Sequence, residues 1–159
     1  MANKVATAEI RPQLAEQGTA IEDVYLSAYP QKEIAEAKIL TRLTKSKAVY
    51  GAVACIDAKI IGFIMLLSSG ESADILEICV VPIAQNNCVG KMLLTAAIEL
   101  SIARELQNII LEVAEDNTIA QQLYRRADFR EIGRRQGYYQ RGVRQIDALV
   151  MEKQLTAGN

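Results

Sequence analysis

Residues 76–94 constrain the fold of this chain more than any other stretch. They open with an apolar run of strand-forming residues, pass through a polar turn at residues 85–90, and end with apolar residues at helical spacing. Pro82 ends the strand pattern. The stretch therefore predicts a strand, a turn and a helix whose first backbone N–H groups face the turn. Such a helix start suits a phosphate, although an ordinary strand-to-helix connection explains the pattern equally well.

Before this stretch the chain shows three strand patterns and one long helical pattern. The strands are predicted over residues 5–11, 48–56 and 59–67, and the helical pattern covers residues 14–43. Pro30 divides that pattern into two helices because proline breaks a helix interior. Asp57 and Ala58 form a link short enough for a hairpin. With the strand at residues 74–81, the second and third strands predict an antiparallel meander.

After the helix, which is predicted over residues 89–105, three more strands follow. They cover residues 108–113, 129–134 and 146–153, and a polar loop at residues 135–145 joins the last two. The strand at residues 108–113 is apolar, and we expect it to be buried on both faces and parallel to its predecessor. The sequence thus predicts one α+β domain over residues 1–159, with a mixed, mostly antiparallel sheet flanked by helices.

The composition excludes several kinds of chemistry. The chain has no histidine, which rules out Ser-His-Asp and Cys-His catalysis and every metal site that needs histidine. Of its three cysteines, Cys55 and Cys79 lie in apolar runs and are expected to be buried, reduced thiols. The odd cysteine count and the lack of a signal peptide predict a cytoplasmic protein, and no apolar run approaches the roughly 20 residues of a membrane span.

Charge is unevenly distributed along the chain. The net charge is −1, which predicts no bulk attraction to nucleic acid or to a membrane. Residues 121–145 nevertheless carry seven arginines against Asp128 and Glu131. This cluster is either a solvated face or a surface for an acidic or ribosomal partner. No RNA-binding motif accompanies it, so direct nucleic-acid recognition is not expected.

Glu112 is the first candidate for a catalytic side chain. It lies within an apolar strand, where a carboxylate needs a partner, a water-filled cleft or a raised pKa. A carboxylate with a raised pKa suits a general base, whereas pairing with an arginine would make Glu112 structural. Glu77, in the preceding strand, is the rival base.

Tyr124 is the second candidate. It belongs to a short helix predicted over residues 118–126, with Asp116 and Asn117 at its N-terminal cap. The predicted inward stripe is Ile119, Ala120, Leu123 and Ala127, which places Tyr124 beside the core and not at its centre. A tyrosine hydroxyl can donate a proton to a leaving group, and a tyrosine at a helix edge can equally serve only to pack its ring.

Three segments of the chain carry a combined motif: ICVVPIAQNNCVGKMLL, LEVAEDNTIAQQLYRRADF, and GRRQGYY followed by DALVM. Together they resemble the GCN5-related N-acetyltransferases. The first is similar to the acetyl-CoA signature of strand, Q-x-x-G-x-G turn and helix. The other two resemble the branch that contains the bacterial N-terminal alanine acetyltransferases of ribosomal protein S18. The resemblance covers nearly the whole chain and is strongest over residues 75–151.

The resemblance implies roles for particular residues. Glu112 corresponds to the general base and Tyr124 to the general acid, while acetyl-CoA is the implied cosubstrate and no metal is implied. The residues implied to contact acetyl-CoA are Ile78, Cys79, Val80, Asn86, Asn87, Cys88, Val89, Gly90, Lys91 and Asn117.

The chain departs from the family pattern at several positions. Cys88 stands where the family usually has its first glycine, and Asn86 and Asn87 replace common basic residues. Asp128 replaces a glycine before Phe129. A Cβ at position 88 is expected to crowd or strain the turn. Near Pro30 the chain also lacks the tryptophan that is frequent in the branch.

The function implied by the resemblance is acetylation of a protein N-terminal α-amine, with the alanine terminus of ribosomal protein S18 as the leading acceptor. Two alternatives stay open from the sequence. One is an acetyltransferase for another protein or a small amine, and the other is a degenerate CoA-binding module without catalysis. The sequence does not indicate an oligomeric state.

Overall fold

A computed structural model describes residues 8–155 of the chain. Within these residues lie seven strands and four α-helices, and all seven strands join one sheet in the order β1-β2-β3-β4-β5-β7-β6. The elements are β1 (Glu9–Arg11), α1 (Gly18–Ala28), α2 (Ile34–Leu43), β2 (Val49–Ile56), β3 (Lys59–Ser69), β4 (Ser72–Val80), α3 (Val89–Ala103), β5 (Asn108–Ala114), α4 (Thr118–Arg126), β6 (Arg130–Arg141) and β7 (Arg144–Gln154). The predicted α+β class is confirmed.

The first half of the fold follows the sequence prediction closely. Strands β2, β3 and β4 form the predicted antiparallel meander, and β5 runs parallel to β4. Asp57 and Ala58 have φ angles of 48° and 64°, the positive values that a tight hairpin turn requires. Strand β1 occupies residues 9–11 of the stretch predicted at 5–11, and residues 5–7 lie outside the described part of the chain.

Each face of the sheet is covered by helices. Helix α1 packs Ile21, Val24 and Tyr25 onto one face, together with Phe63 of β3. Helix α3 packs onto the other face, where its Leu93 joins the core. The buried side chains of β5 (Ile109, Leu111 and Val113) belong to this α3 face. Because alternate residues of a strand point to opposite faces, Glu112 points to the α1 face.

A bulge interrupts the pairing of β3 with β4. Met65 lies opposite Glu77 and Leu66 opposite Ile75, so Leu76 is an extra residue in β4. Cys79, two residues beyond Glu77, packs in the core beneath α1. Glu77 therefore shares its face with Cys79, and the bulge brings it to the same face of the sheet as Glu112.

Two predictions about the last strands are wrong. Residues 135–141 continue strand β6 and are not a loop, so β6 and β7 form a long hairpin that turns at residues 142–143. The pairing tolerates this polar sequence because β6 is an edge strand, exposed along most of its length. Strand β5 is not fully buried on both faces, because Ile110 and Glu112 on the α1 face are only half-buried, and Glu112 keeps 26% of its side-chain surface accessible.

Candidate active site

A cleft opens where β4 and β5 separate. The two strands pair only between Ser72–Asp74 and Asn108–Ile110. Beyond these residues lies a cavity of about 1110 Å³. Of the residues predicted for the site, Ile78, Glu112, Asn117 and Tyr124 line this cavity. The divergence of two neighbouring strands thus brings together parts of the predicted site that are far apart in sequence.

The predicted phosphate turn lies outside this cavity. Cys88 and Lys91 instead line a second cavity of about 800 Å³ beside α3, and Asn86, Asn87, Val89 and Gly90 line neither one. Cys79 is buried beneath α1, and Val80 packs towards the α3 face. The side chains of these two residues therefore serve the core.

The turn leaves the start of α3 suited to an anion. Cys88 is the N-cap residue, with φ of 61° and no side-chain hydrogen bond to the helix, and the first turn of α3 contains no acidic residue. A Cβ added at Gly90 would meet only Leu123, at an ordinary contact distance of 3.5 Å. The first N–H groups of α3 are therefore not occupied by a capping side chain, which is compatible with a bound pyrophosphate.

Helix α4 presents a different face from the one predicted. Ile119 is 78% exposed, whereas Tyr124 is 5% exposed and belongs to the core. Gln121 fixes this orientation, because its side-chain amide donates to the backbone carbonyls of Ala114 and Glu115. The predicted inward position of Ile119 and the edge position of Tyr124 are therefore wrong.

The cap of α4 and the environment of Tyr124 are well defined. The side chain of Asn117 accepts a hydrogen bond from the backbone N–H of Ala120 at 3.2 Å, which confirms Asn117 as the N-cap. The ring of Tyr124 packs against Phe129, with centroids 5.8 Å apart. Burial, followed by the charge of Glu77, raises the pKa of Tyr124. Its hydroxyl consequently keeps its proton throughout the neutral range.

Glu112 is paired with an arginine, which was one of the two interpretations left open by the sequence. Its Oε1 lies 2.9 Å from Nε of Arg135 on β6. The guanidinium of Arg135 also lies over the ring of Tyr138, 5.2 Å from its centroid. This ion pair holds the carboxylate at the rim of the cavity without sealing it from solvent.

Glu77, the rival base, has a different environment. Its Oε1 accepts hydrogen bonds from the hydroxyl of Tyr29 at 3.2 Å and from the thiol of Cys79 at 3.5 Å. Burial raises the pKa of Glu77 and outweighs the opposing effects of these two donors, of the backbone N–H of Ile78 and of the Lys32 charge. The two candidate bases that line the cavity therefore have different electrostatic settings: Glu112 is paired with a cation, and Glu77 is held by neutral donors.

The cavity also includes residues that the sequence did not single out as site residues. Tyr139 reaches the cavity from β6, Tyr25 reaches it from α1, and Gln31 reaches it from the connection between α1 and α2. A bulge in β6 redirects the chain before Tyr139, and the carboxylate of Asp147 accepts the N–H of Gly137 at 2.9 Å within it. The adjacent pair Tyr138-Tyr139 was the only sequence signal for this contribution.

Part of the arginine cluster is engaged within the chain. Arg134 pairs with Glu131 and Glu115, at 2.9 and 3.4 Å. Arg141 pairs with Asp116 at 3.1 Å. Arg134 and Arg141 thus hold β6 against the loop that follows β5, and Arg135 holds it against β5 itself. The cluster is therefore partly an internal ion-pair network, and an acidic external partner stays a prediction.

The chain belongs to the acetyltransferase (GNAT) family, whose family model matches residues 18–129. One curated relative is the [ribosomal protein bS18]-alanine N-acetyltransferase of Haemophilus ducreyi, 38% identical over 80 residues. That match covers 50% of this chain and 55% of the relative, so the chain spans about half the length of the curated relative that it matches.

Solved structures share the fold over almost the full chain. The ribosomal-protein-S18-alanine N-acetyltransferase of Escherichia coli has a TM-score of 0.86 at 20% identity, covering 96% of this chain and 97% of that one. NAA60 of Arabidopsis thaliana, solved with a bisubstrate analogue, has a TM-score of 0.78 at 18% identity, covering 96% and 100%. At these identities the likeness establishes the fold.

Within residues 8–155, none of the helices has the length and hydrophobicity that a membrane span requires. In the same part of the chain, no three Cys, Asp or Glu side chains are grouped so that they could hold a metal ion.

Proposed function

We propose that this protein transfers the acetyl group of acetyl-CoA to the α-amine at a protein N-terminus, with the terminal alanine of ribosomal protein S18 as the leading acceptor. The observation that carries the proposal is the cleft between β4 and β5. Its wall contains Tyr124 and the carboxylates of Glu77 and Glu112. The acetyltransferase (GNAT) family match and the Haemophilus ducreyi relative support this reaction and this acceptor.

In the proposed complex, acetyl-CoA lies along the end of β4 and its pyrophosphate lies at the start of α3. The backbone of Ile78, Cys79 and Val80 follows the pantetheine arm. Residues 86–91 contribute backbone N–H groups and the Lys91 ammonium to the pyrophosphate. Asn117 contacts the cosubstrate at the start of α4.

The reaction needs a proton acceptor, a stabilised oxyanion and a proton donor. A protein α-amine has a pKa of about 7.7–8.0, so much of it is protonated at neutral pH. Glu112 accepts that proton, directly or through a water, and the free amine attacks the thioester carbonyl. A backbone N–H near Val80 stabilises the oxyanion, and Tyr124 protonates the departing thiolate. No covalent intermediate with the protein is required.

The proposed acceptor implies a location in the cell and a partner. On this proposal the protein works in the cytoplasm, and its partner is the exposed N-terminus of the ribosomal protein. The proposal does not require contact with nucleic acid.

Mass spectrometry of peptides tests the function. Acetyl-CoA and a peptide with the N-terminal sequence of ribosomal protein S18 are incubated with the protein, and acetylation is located by fragmentation. We expect acetylation at the α-amine, with release of one CoA per acetyl group. Turnover of small amines without any turnover of peptides would refute the acceptor. Failure to bind acetyl-CoA would refute the reaction, while tight binding without turnover on any acceptor would indicate a CoA-binding module.

A further inference from the structure

The cavity contains one half-buried carboxylate that no cation of residues 8–155 neutralises in an ion pair. The other charged groups of the cavity wall have partners: Glu112 with Arg135 at 2.9 Å, Lys32 with Glu36 at 2.9 Å, and Arg141 with Asp116 at 3.1 Å. Glu33 is exposed and caps α2. Glu77 alone is half-buried and held only by neutral donors.

The two oxygens of Glu77 differ in their contacts. Oε1 accepts both the Tyr29 hydroxyl at 3.2 Å and the Cys79 thiol at 3.5 Å. Within the described residues, Oε2 has no hydrogen-bond donor from a side chain. The side-chain donors thus hold this carboxylate through Oε1, which leaves Oε2 able to accept a hydrogen bond from a cationic donor.

Several elements contribute titratable groups around Glu77, besides Glu112 of β5. They are Tyr25 and Tyr29 from α1 and its end, Lys32 from the α1–α2 segment, Cys79 from β4, Tyr124 from α4 and Tyr139 from β6. The tyrosines and the thiol are neutral at pH 7. Lys32 is the cation among them, and Glu36 holds its ammonium.

We propose that Glu77 binds the ammonium group of the acceptor and thereby selects acceptors that arrive as primary ammonium ions. This inference rests on the proposed function and deepens it. An ammonium has three N–H donors, so one can contact Glu77 while another faces Glu112, which takes the proton. Tyr29 is a positioning residue in this arrangement because its hydroxyl fixes Oε1. A neutral terminus of the same shape would leave the half-buried charge of Glu77 uncompensated.

A pair of peptides that differ only in this charge tests the inference. One probe is the peptide amide Ala-Gly-Ser-Gly, and the other carries a propionyl group in place of the alanine, which removes the α-amino group alone. Calorimetry at pH 6.5, in the presence of CoA, measures both affinities. We expect wild-type protein to prefer the ammonium peptide by about 10- to 100-fold, as for a hydrogen bond to a charged group.

Matched variants assign this preference to Glu77. Glu77→Gln should reduce it to less than about threefold, by the loss of the charged hydrogen bond. Glu71→Gln makes the same change in net charge on an exposed turn and should keep the wild-type preference. Glu77→Asp, which withdraws the carboxylate by one methylene, gives a second variant if Glu77→Gln does not fold, and its preference should also fall. An undiminished preference in either Glu77 variant, or none in wild type, would overturn the proposal.

Kinetics separate binding from proton transfer. Where the peptide is acetylated, Glu77→Gln should raise KM with little change in kcat, whereas Glu112→Gln should lower kcat. A Glu77→Gln variant with unchanged KM and a large loss of kcat would contradict a binding role. The peptide preference is measured without turnover, so it can be present even where the wild-type protein releases no CoA. The two proposals can therefore fail separately.

Discussion

Replacing Cys88 with glycine should stabilise the protein. Cys88 adopts φ of 61° and ψ of 6°, the left-handed conformation, at the N-cap of α3. This conformation costs an L-residue about 1–2 kcal/mol, a penalty that glycine does not incur. Glycine also increases the conformational entropy of the unfolded chain, and this reduces the gain in stability by about 0.4–1 kcal/mol. The net effect of Cys88→Gly is a gain of about 0.5–1 kcal/mol in the free energy of unfolding.

The Cys88 thiol contributes little against this gain. It is exposed and forms no capping hydrogen bond. In a chain of this length, the gain corresponds to a rise of about 1–4 °C in Tm. Thermal unfolding followed by circular dichroism measures it, and calorimetry with acetyl-CoA should show that affinity does not fall, since the backbone N–H groups of the turn are kept.

Cys88→Ala is the control for the backbone argument. It removes the thiol but keeps the Cβ, so it should leave Tm close to the wild-type value. A Tm for Cys88→Gly below that of wild type would refute the reasoning. An equal rise in both variants would show that the thiol, and not the backbone conformation, destabilises the native turn.

Three further predictions concern the cavity. Tyr124→Phe should lower the rate constant of acetyl transfer by about 10²–10⁴-fold in single-turnover assays, because the proton donor is lost, while acetyl-CoA affinity stays unchanged. An unchanged rate constant would exclude this role. Glu112→Gln should lower turnover most at neutral pH and recover in part above pH 8, where the amine loses its own proton; a defect that does not vary with pH would indicate a structural role. Glu77→Gln should be more stable to urea than wild type at pH 7. Burial raises the pKa of Glu77 in the folded state, so the stability of the wild type falls as pH rises from the ordinary glutamate pKa to the pKa in the folded protein. The difference in stability between the two proteins should therefore disappear towards pH 4. A difference that does not change with pH would contradict this titration.

The order and type of most elements could be predicted from local pattern. Pro30 separates the two N-terminal helices, and Asp57-Ala58 makes the hairpin that its length suggests. Asn117 caps α4 as its residue type predicts. These features depend on short-range backbone chemistry, which a single sequence contains. The candidate residues Glu112 and Tyr124 likewise share one cavity, as the resemblance implies.

Features that depend on partners distant in sequence could not be predicted. The inward face of α4 is set by the hydrogen bonds of Gln121 to the end of β5, and not by its most apolar residue, Ile119. The polar residues 135–141 form a strand because β7 pairs with them. The bulge at Leu76 is equally invisible in the sequence, since Leu76 itself continues an apolar run. Without it, strand alternation would place Glu77 on the other face of the sheet, away from Glu112.

The arginines of β6 also affect how the protein behaves at high concentration. Strand β6 is at the rim of the sheet, and the outer rim of a sheet can recruit a strand from another molecule and start aggregation. Four arginines, at positions 130, 134, 135 and 141, lie along this strand. A second copy aligned along β6 would bring cationic side chains against each other. Arg134, Arg135 and Arg141, which form ion pairs within the chain, thus also oppose pairing of this exposed edge strand with another molecule.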